Sequence, residues 1–160
     1  MRCFSFDPIV FDDARILILG TYPSLKSFEK GFYYAHPQNQ FWPLLGDIFN
    51  EPASTREERI ALLKKHRLAL WDTCHTCIRS EGNSSDTNLS EIEPNEIPAL
   101  LEKYPGIVLV CFTGKKAEQI YRKHYAHLPV ATALLPSPSP AYRAMPYEKK
   151  RALYKALLLG

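Results

Sequence analysis

The sequence predicts an α/β fold, a three-layer α/β/α sandwich around a central four-stranded, mainly parallel sheet. Short, continuously apolar runs end at Gly, Pro or polar residues, which is typical of strands buried on both faces. Segments with the helical spacing of apolar residues separate these runs. At 160 residues, 46% of them hydrophobic, the chain has the size and composition of one globular domain. We therefore expect residues 1–160 to form a single domain.

Four apolar runs predict the strands of the sheet, at residues 15–20, 68–72, 106–112 and 129–135. Helices are predicted at residues 41–49, 55–66, 95–104, 115–124 and 147–158. Ser54 or Thr55 ahead of acidic residues, and Asn95 ahead of Glu96, indicate capped helix starts. Strands that alternate with helices imply parallel pairing through right-handed crossovers. Ligands of such sheets bind beyond the carboxyl ends of the strands, so the loops there are the expected site.

Composition and charge exclude several classes of protein. The longest apolar runs are far shorter than the roughly 20 residues that a membrane-spanning helix needs, and the N-terminus lacks the pattern of a secretory signal. We therefore expect no membrane partner and a cytoplasmic location. Four cysteines are too few for a disulfide framework, and Cys74 with Cys77 is only half of a metal site, so no metal is expected. A net charge of +3 requires any nucleic-acid partner to meet a local basic patch.

The loop after the first predicted strand, residues 20–42, is long, aromatic and rich in hydrogen-bonding groups. A loop of that length inside a compact domain is usually functional. The alternative is an aromatic plug that covers the open end of the sheet.

The order of residues in this loop resembles that of the uracil-DNA glycosylase superfamily. The pattern is Gly-X-X-Pro at Gly20 and Pro23, followed by His-Pro-X-Asn-X-Phe-Trp at residues 36–42. A Pro-Ser-rich loop, the second element of the family, follows the last strand at residues 135–140. The resemblance covers nearly the whole chain. It is strong for the mismatch-specific branch and strongest for the hypoxanthine-DNA (deoxyinosine) glycosylases.

The resemblance implies a monofunctional DNA glycosylase of base excision repair. Such an enzyme flips out a deaminated base, here hypoxanthine and also uracil, and hydrolyses its N-glycosidic bond without a cofactor. The implied partner is DNA that contains deaminated or mismatched bases, and the implied state is a monomer. The alternatives are a uracil or G/T-mismatch glycosylase and a DNA damage-binding module without catalytic activity. An unrelated nucleotide hydrolase is disfavoured because no metal or phosphate motif is convincing.

Asn39 is the catalytic residue that the resemblance implies, since an amide side chain can hold the attacking water. The mismatch branch places the residue with this task in the first turn, where this chain has Tyr22, whose phenol cannot hold water in the same way. The alternative is that Asn39 caps the helix that begins near Phe41. From the sequence we expect Asn39 to perform only one of these two tasks well.

The resemblance also implies the residues that contact the base. Tyr34 matches the aromatic ring that stacks on the extruded base, although it can equally be a core or lid residue. Thr113 stands where many members keep an asparagine that reads the base. Thr21 and Tyr22 belong to the turn whose backbone N–H groups, with His36 as a weaker candidate, can stabilise the departing base.

Ser85 and Asp86 lie in a polar loop that resembles the family's loop after the second strand. Asp86 can read a ring N–H there. The alternative is that both side chains only form turns with their own backbone.

A further set of residues is expected to contact the DNA backbone or the vacated base position. The implied residues are Ser24, Lys26, Ser137, Ser139, Pro140, Tyr142 and Arg143. Basic residues 149–151 either hold phosphates as well or form a solvated helix face.

Overall fold

The computed structural model describes residues 2–80 and 89–159. In chain order the elements are β1 Arg2–Phe4, β2 Ile16–Gly20, α1 Leu25–Lys30, α2 Phe41–Phe49, α3 Arg56–Lys65, β3 Leu68–Asp72, β4 Cys74–Arg79, β5 Leu89–Pro94, α4 Ile97–Lys103, β6 Leu109–Thr113, α5 Lys115–Tyr125, β7 Ala131–Leu135 and α6 Tyr147–Leu158. None of the helices in the described ranges is long and apolar enough to cross a membrane.

The central sheet has the strand order β3-β2-β6-β7. Its neighbouring strands pair in parallel, with Gly20 opposite Asp72 and Thr113 opposite Leu135 at their carboxyl ends. The predicted fold class is confirmed, and each predicted strand and helix is present with small differences at its ends. The first loop and the loops after β3, β6 and β7 therefore start from one edge of the sheet.

Helices cover both faces of this sheet because its side chains alternate between two apolar cores. On one face the strands pack against α2, α3 and α6 through Ile16, Ile18, Leu68, Leu70, Cys111 and Leu135. On the other face they pack against α4 and α5 through Leu17, Leu19, Ala69, Val110 and Phe112. Each fully buried Leu, Ile or Val contributes about 1.5–3 kcal/mol relative to an exposed side chain. The result is the predicted three-layer sandwich.

A second sheet, antiparallel and with the order β1-β4-β5, contradicts the prediction that the chain after β3 is a polar loop. β4 alternates buried and exposed positions only in part, and its pairing with β5 shifts register twice. Cys74 and Cys77 are buried free thiols on this sheet, and the hydrogen bond between their side chains, together with burial, raises the pKa of Cys74. These polar, irregular strands lack the continuous apolar pattern that identified the others.

Of the two predicted helix caps, the one at the start of α3 is confirmed and the one at the start of α4 is wrong. Thr55 forms a capping box with Glu58, because its side chain accepts from the backbone of Glu58 while Glu58 accepts from the backbone of Thr55. The prediction that Asn95 caps α4 is wrong: α4 begins at Ile97 after Glu96. The Asn95 side chain instead is buried and donates to the backbone oxygens of Asp72 and Cys74, at 2.8 and 3.1 Å.

Candidate functional site

Polar side chains from three segments converge above Gly20, at the carboxyl edge of the central sheet. The Tyr34 hydroxyl lies 2.9 Å from Thr113 Oγ1. A Cβ atom built on Gly20 would lie 2.7 Å from Asp72 Oδ1, 3.0 Å from the Tyr34 hydroxyl and 3.5 Å from Thr113 Oγ1. Only glycine therefore lets the first loop and the ends of β3 and β6 close over β2.

Gly20→Ala is expected to destabilise the protein by about 1–3 kcal/mol, because the added methyl group meets packed atoms. In urea unfolding the midpoint should fall while the slope stays unchanged. Val108→Ala, at a position that is 57% exposed, is the control and should change the midpoint little. A wild-type midpoint for Gly20→Ala would show that Asp72 and Tyr34 do not close over β2 in this way.

Tyr34 belongs to a rigid stack of aromatic rings. Its backbone φ of 51° lies in the left-handed region that residues with a side chain rarely adopt. Its ring lies 3.9 Å from that of Phe41, centre to centre, with 20° between the planes. Next to Phe41, Trp42 is buried and donates from Nε1 to the Tyr33 oxygen at 2.9 Å. A base-stacking residue and a lid residue both need such rigidity, so the stack alone favours neither role.

Asn39 makes a hydrogen bond at the start of α2, as in the alternative to catalysis that we considered, although the N-cap position itself is Gln40, whose side chain forms no such bond. We call the Asn39 bond the cap of α2. Asn39 Oδ1 accepts from the backbone N–H of Phe41 at 2.9 Å, directly at the start of α2. The backbone N–H of Asn39 itself donates to the His36 oxygen at 2.9 Å. The side chain is half-buried and, among the described residues, its Nδ2 has no hydrogen-bond partner. The cap therefore fixes the orientation of the amide and leaves its two N–H groups for other contacts.

The His36 side chain stabilises the turn that precedes Asn39. Its Nδ1 accepts from the backbone N–H of Gln38 at 3.0 Å, which leaves Nε2 as the ring nitrogen for other contacts. This arrangement fits the structural role that is usual for a histidine followed by proline in a packed loop.

Cavities lie on both sides of the segment that carries Asn39. The larger one, about 790 Å³, is lined by Tyr34, His36 and Asn39 together with side chains of α2 and α3, among them Asp47 and Arg59. Its volume is in the range of small-molecule sites. The smaller one, about 400 Å³, lies between residues 38–40 and the end of the chain's last loop. Predicted site residues line both cavities, and Asn39 lines the larger one.

Thr21, Tyr22 and Thr113 line neither of these cavities, because they are buried at the sheet edge with exposures of 7%, 9% and 8%. The ring of Tyr22 packs against Phe28, with the Arg79 guanidinium 5.5 Å from its centre. A base can reach Thr113 only if the Tyr34 hydroxyl gives up its bond to it.

The two candidate DNA contacts of the first loop lie at the short helix α1. Ser24 caps this helix by accepting from the Ser27 backbone N–H at 3.1 Å. Lys26 pairs with Glu29 at 3.3 Å, and both side chains are substantially exposed. A surface ion pair of this kind is worth little, so it does not prevent Lys26 from contacting a phosphate.

Residues 136–142 form a pre-organised loop, which we call the Pro-Ser loop. Ser137 Oγ accepts from the Ser139 backbone N–H, and Ser139 Oγ accepts from that of Ala141, both at 3.2 Å. Pro140 is half-buried beside the smaller cavity, while Tyr142 and Arg143 are exposed. The serine hydroxyls thus shape the loop, and its exposed end presents an aromatic and a cationic side chain.

The profile of the uracil DNA glycosylase superfamily matches residues 8–159 of this chain. The chain belongs to this superfamily. The match spans the first loop, the sheet edge and the Pro-Ser loop, so the resemblance inferred from the motifs is confirmed.

Relatives and solved structures agree with this superfamily assignment. A Methanosarcina barkeri protein named hypoxanthine DNA glycosylase is 36% identical over 152 residues, which are 94% of this chain and 84% of that protein. A Methanosarcina acetivorans protein of the same name is 36% identical over 140 residues, 86% of this chain and 87% of that protein. The solution NMR structure of a candidate uracil DNA glycosylase from Methanosarcina acetivorans superposes with a TM-score of 0.85 at 32% identity and covers 99% of this chain and 97% of its own.

Ser85 and Asp86, the residues expected to read the base in this superfamily member, lie outside the described residues. Two other residues near the site were not predicted. Asp72 is the last residue of β3. Its position at the carboxyl end of a parallel strand is the sequence feature that could have identified it as a site residue. Lys150 was grouped with residues 149–151 as a phosphate contact or part of a solvated face, and both interpretations are wrong for it because it is only 1% exposed.

Proposed function

We propose that the chain is a monofunctional DNA glycosylase that flips a deaminated base, hypoxanthine first, out of DNA and hydrolyses its N-glycosidic bond. The observation that carries the proposal is the oriented amide of Asn39, at the rim of a cavity that the Tyr34 ring also lines. The two Methanosarcina relatives, each 36% identical and named for hypoxanthine, support the choice of base.

In this reaction the oxygen of a water molecule bonds to C1′ of the sugar while the bond from C1′ to the base nitrogen breaks. The departing base takes the electron pair and, overall, one proton from the water. Asn39 would hold that water. A carbonyl oxygen has two lone pairs, and the Phe41 N–H occupies one of those on Oδ1, so the second lone pair and the Nδ2 N–H groups can bind water. Capping and catalysis are therefore compatible here, and the cap fixes the amide in advance.

The extruded base would stack on Tyr34, whose ring is already held by Phe41. Stacking on one base is worth about 1–3 kcal/mol, which offsets part of the few kcal/mol that flipping costs. The backbone N–H groups of Thr21, Tyr22 and Ser24 would face the negative charge that develops on the base. The Thr113 hydroxyl can contact one edge atom, and hypoxanthine and uracil share a carbonyl beside a ring N–H. This shared edge is why uracil remains an expected second substrate.

The Pro-Ser loop would enter the space that the flipped nucleotide leaves. Its serine-shaped backbone is fixed before DNA binds, and Tyr142 and Arg143 are exposed at its end. An aromatic side chain can fill a gap in the base stack, while a guanidinium binds phosphate. We propose that Lys26 and Ser24 contact the DNA backbone as well and that the enzyme acts as a monomer.

The test offers labelled duplexes that carry hypoxanthine, uracil or a mismatched thymine to the wild-type protein. We expect the fastest base release from the hypoxanthine duplex, and strand breaks only after alkali, because no lysine is among the described residues that line either cavity and could form a Schiff base. Faster release of uracil or of mismatched thymine would instead indicate a uracil glycosylase or a G/T-mismatch glycosylase. Tight binding without base release from any duplex would favour a damage-binding module. Tyr22 in the first turn, where the mismatch branch has its water-holding residue, is the sequence feature that supports this alternative.

A further inference from the structure

Lys150 is a charged side chain inside the protein, close to both DNA-facing loops. It lies on α6 and is 1% exposed. Its ammonium group donates to Gln40 Oε1 at 2.7 Å and to the Tyr142 backbone oxygen at 2.9 Å. The same nitrogen lies 4.9 Å from the centre of the Tyr142 ring.

Burying this ammonium group is costly unless it is well hydrogen-bonded, and desolvation by burial lowers the pKa of Lys150. Its two bonds are made to neutral oxygens, and no ion pair with a carboxylate involves it among the described residues. Buried charges of this kind contribute little net stability compared with an apolar side chain of similar volume. The role of Lys150 therefore depends on the two segments that its hydrogen bonds connect.

The two partners of Lys150 belong to the two loops that the proposed function uses. Gln40 follows Asn39 directly, and its backbone N–H donates to the Pro138 oxygen at 2.9 Å. The Pro-Ser loop ends at Tyr142 and is held at its start by the Tyr154 hydroxyl, which donates to the Pro136 oxygen at 2.7 Å. Residues 40 and 150, which are 110 positions apart in the sequence, thus close a bridge between the Asn39 segment and the Pro-Ser loop.

We propose that Lys150 is a positioning residue that keeps the Asn39 amide and the Pro-Ser loop in one fixed relation. This inference rests on the proposed function, because the amide must meet C1′ of the same nucleotide that the loop displaces. A displacement of about 1 Å at a reacting group can cost about 10²-fold in rate. Lys150 acts through Gln40 and Tyr142 and does not touch DNA.

The test compares Lys150→Met, Gln40→Leu and the double variant with Lys155→Met, whose lysine is exposed on the same helix. Under single-turnover conditions at saturating enzyme, Lys150→Met and Gln40→Leu should each lower the rate of hypoxanthine release by about tenfold or more. The double variant should lose little beyond either single variant, because both changes remove one bridge. Lys155→Met should keep the wild-type rate. If Lys150→Met fails to fold, the rate of Gln40→Leu tests the proposal by itself.

The salt dependence of DNA binding separates positioning from phosphate contact. A lysine bound to phosphate contributes about one unit to the slope of log affinity against log salt. We expect Lys150→Met to leave this slope unchanged. A slope reduced by about one, or wild-type rates in both single variants, would overturn the proposal.

Hydrogen exchange of the Gln40 amide gives a readout that does not depend on activity. Its bond to the Pro138 oxygen should open more often in Lys150→Met than in the wild type or in Lys155→Met. If the wild-type protein releases no base, the proposed function fails while this exchange still reports on the bridge. Unchanged Gln40 exchange in Lys150→Met would show that no bridge exists, whatever the activity.

Discussion

Replacing Asn39 with serine is expected to lower the single-turnover rate of hypoxanthine release by about 10²-fold or more, while the unfolding temperature should stay close to that of the wild type. A serine hydroxyl can still accept from the Phe41 backbone N–H and so retain the cap on α2. It cannot offer the carbonyl oxygen and two N–H groups that orient a water molecule. Rapid-quench measurement of abasic sites, together with thermal unfolding, checks both parts of this prediction.

Two further variants separate the contribution of the cap from that of the amide in the Asn39→Ser result. Asn39→Ala removes the cap as well, so it should lose about 1 kcal/mol of stability in addition to the rate. Gln119→Ala deletes an exposed amide on α5, away from the site, and should keep the wild-type rate. If Asn39→Ser released base as fast as the wild type, Asn39 would be a helix cap and another residue would position the water.

Tyr34→Ala is expected to weaken binding of the hypoxanthine duplex by about 5- to 150-fold, which corresponds to the loss of one base-stacking surface. Affinity is measured in the Asn39→Ser background, where slow cleavage leaves the substrate intact. Tyr34→Phe keeps the ring and its stack on Phe41 and removes the hydroxyl that bonds to Thr113, so its effect should be within a few-fold.

The undamaged duplex is the control for this prediction. Binding to it depends on phosphate contacts and should not respond to Tyr34→Ala. An equal loss of affinity for damaged and undamaged duplexes would show that Tyr34 is a lid or core residue whose removal disturbs the whole DNA-binding surface.

The sheet and its helices were predictable because burial on both faces imposes continuous apolar runs, such as residues 16–20 and 109–112. The β4-β5 pair was not predictable in the same way. Its residues are polar and irregularly paired, and Glu91 adopts a positive φ of 49° within β5. The six residues of α1 were too few to show helical periodicity inside a loop.

Within the site, sequence order identified Asn39 and Tyr34, but their neighbours depend on tertiary packing. The stack of Tyr34 on Phe41 and the cap from Asn39 are local contacts, and the sequence itself indicates the cap as an alternative to catalysis. The burial of Lys150 was not accessible from the sequence, because the groups that enclose it come from segments far apart in the chain. A lysine in a basic helical stretch ordinarily predicts a solvated face.

The most direct test of the central claim is to identify the product that the wild-type protein releases from a hypoxanthine duplex. Chromatography of the reaction should show free hypoxanthine, in amounts equal to the alkali-labile sites formed, and both products should form about 10²-fold more slowly with Asn39→Ser. A duplex that is bound tightly but stays intact, with no free base, would contradict the assignment of a glycosylase and identify the chain as a damage-binding protein.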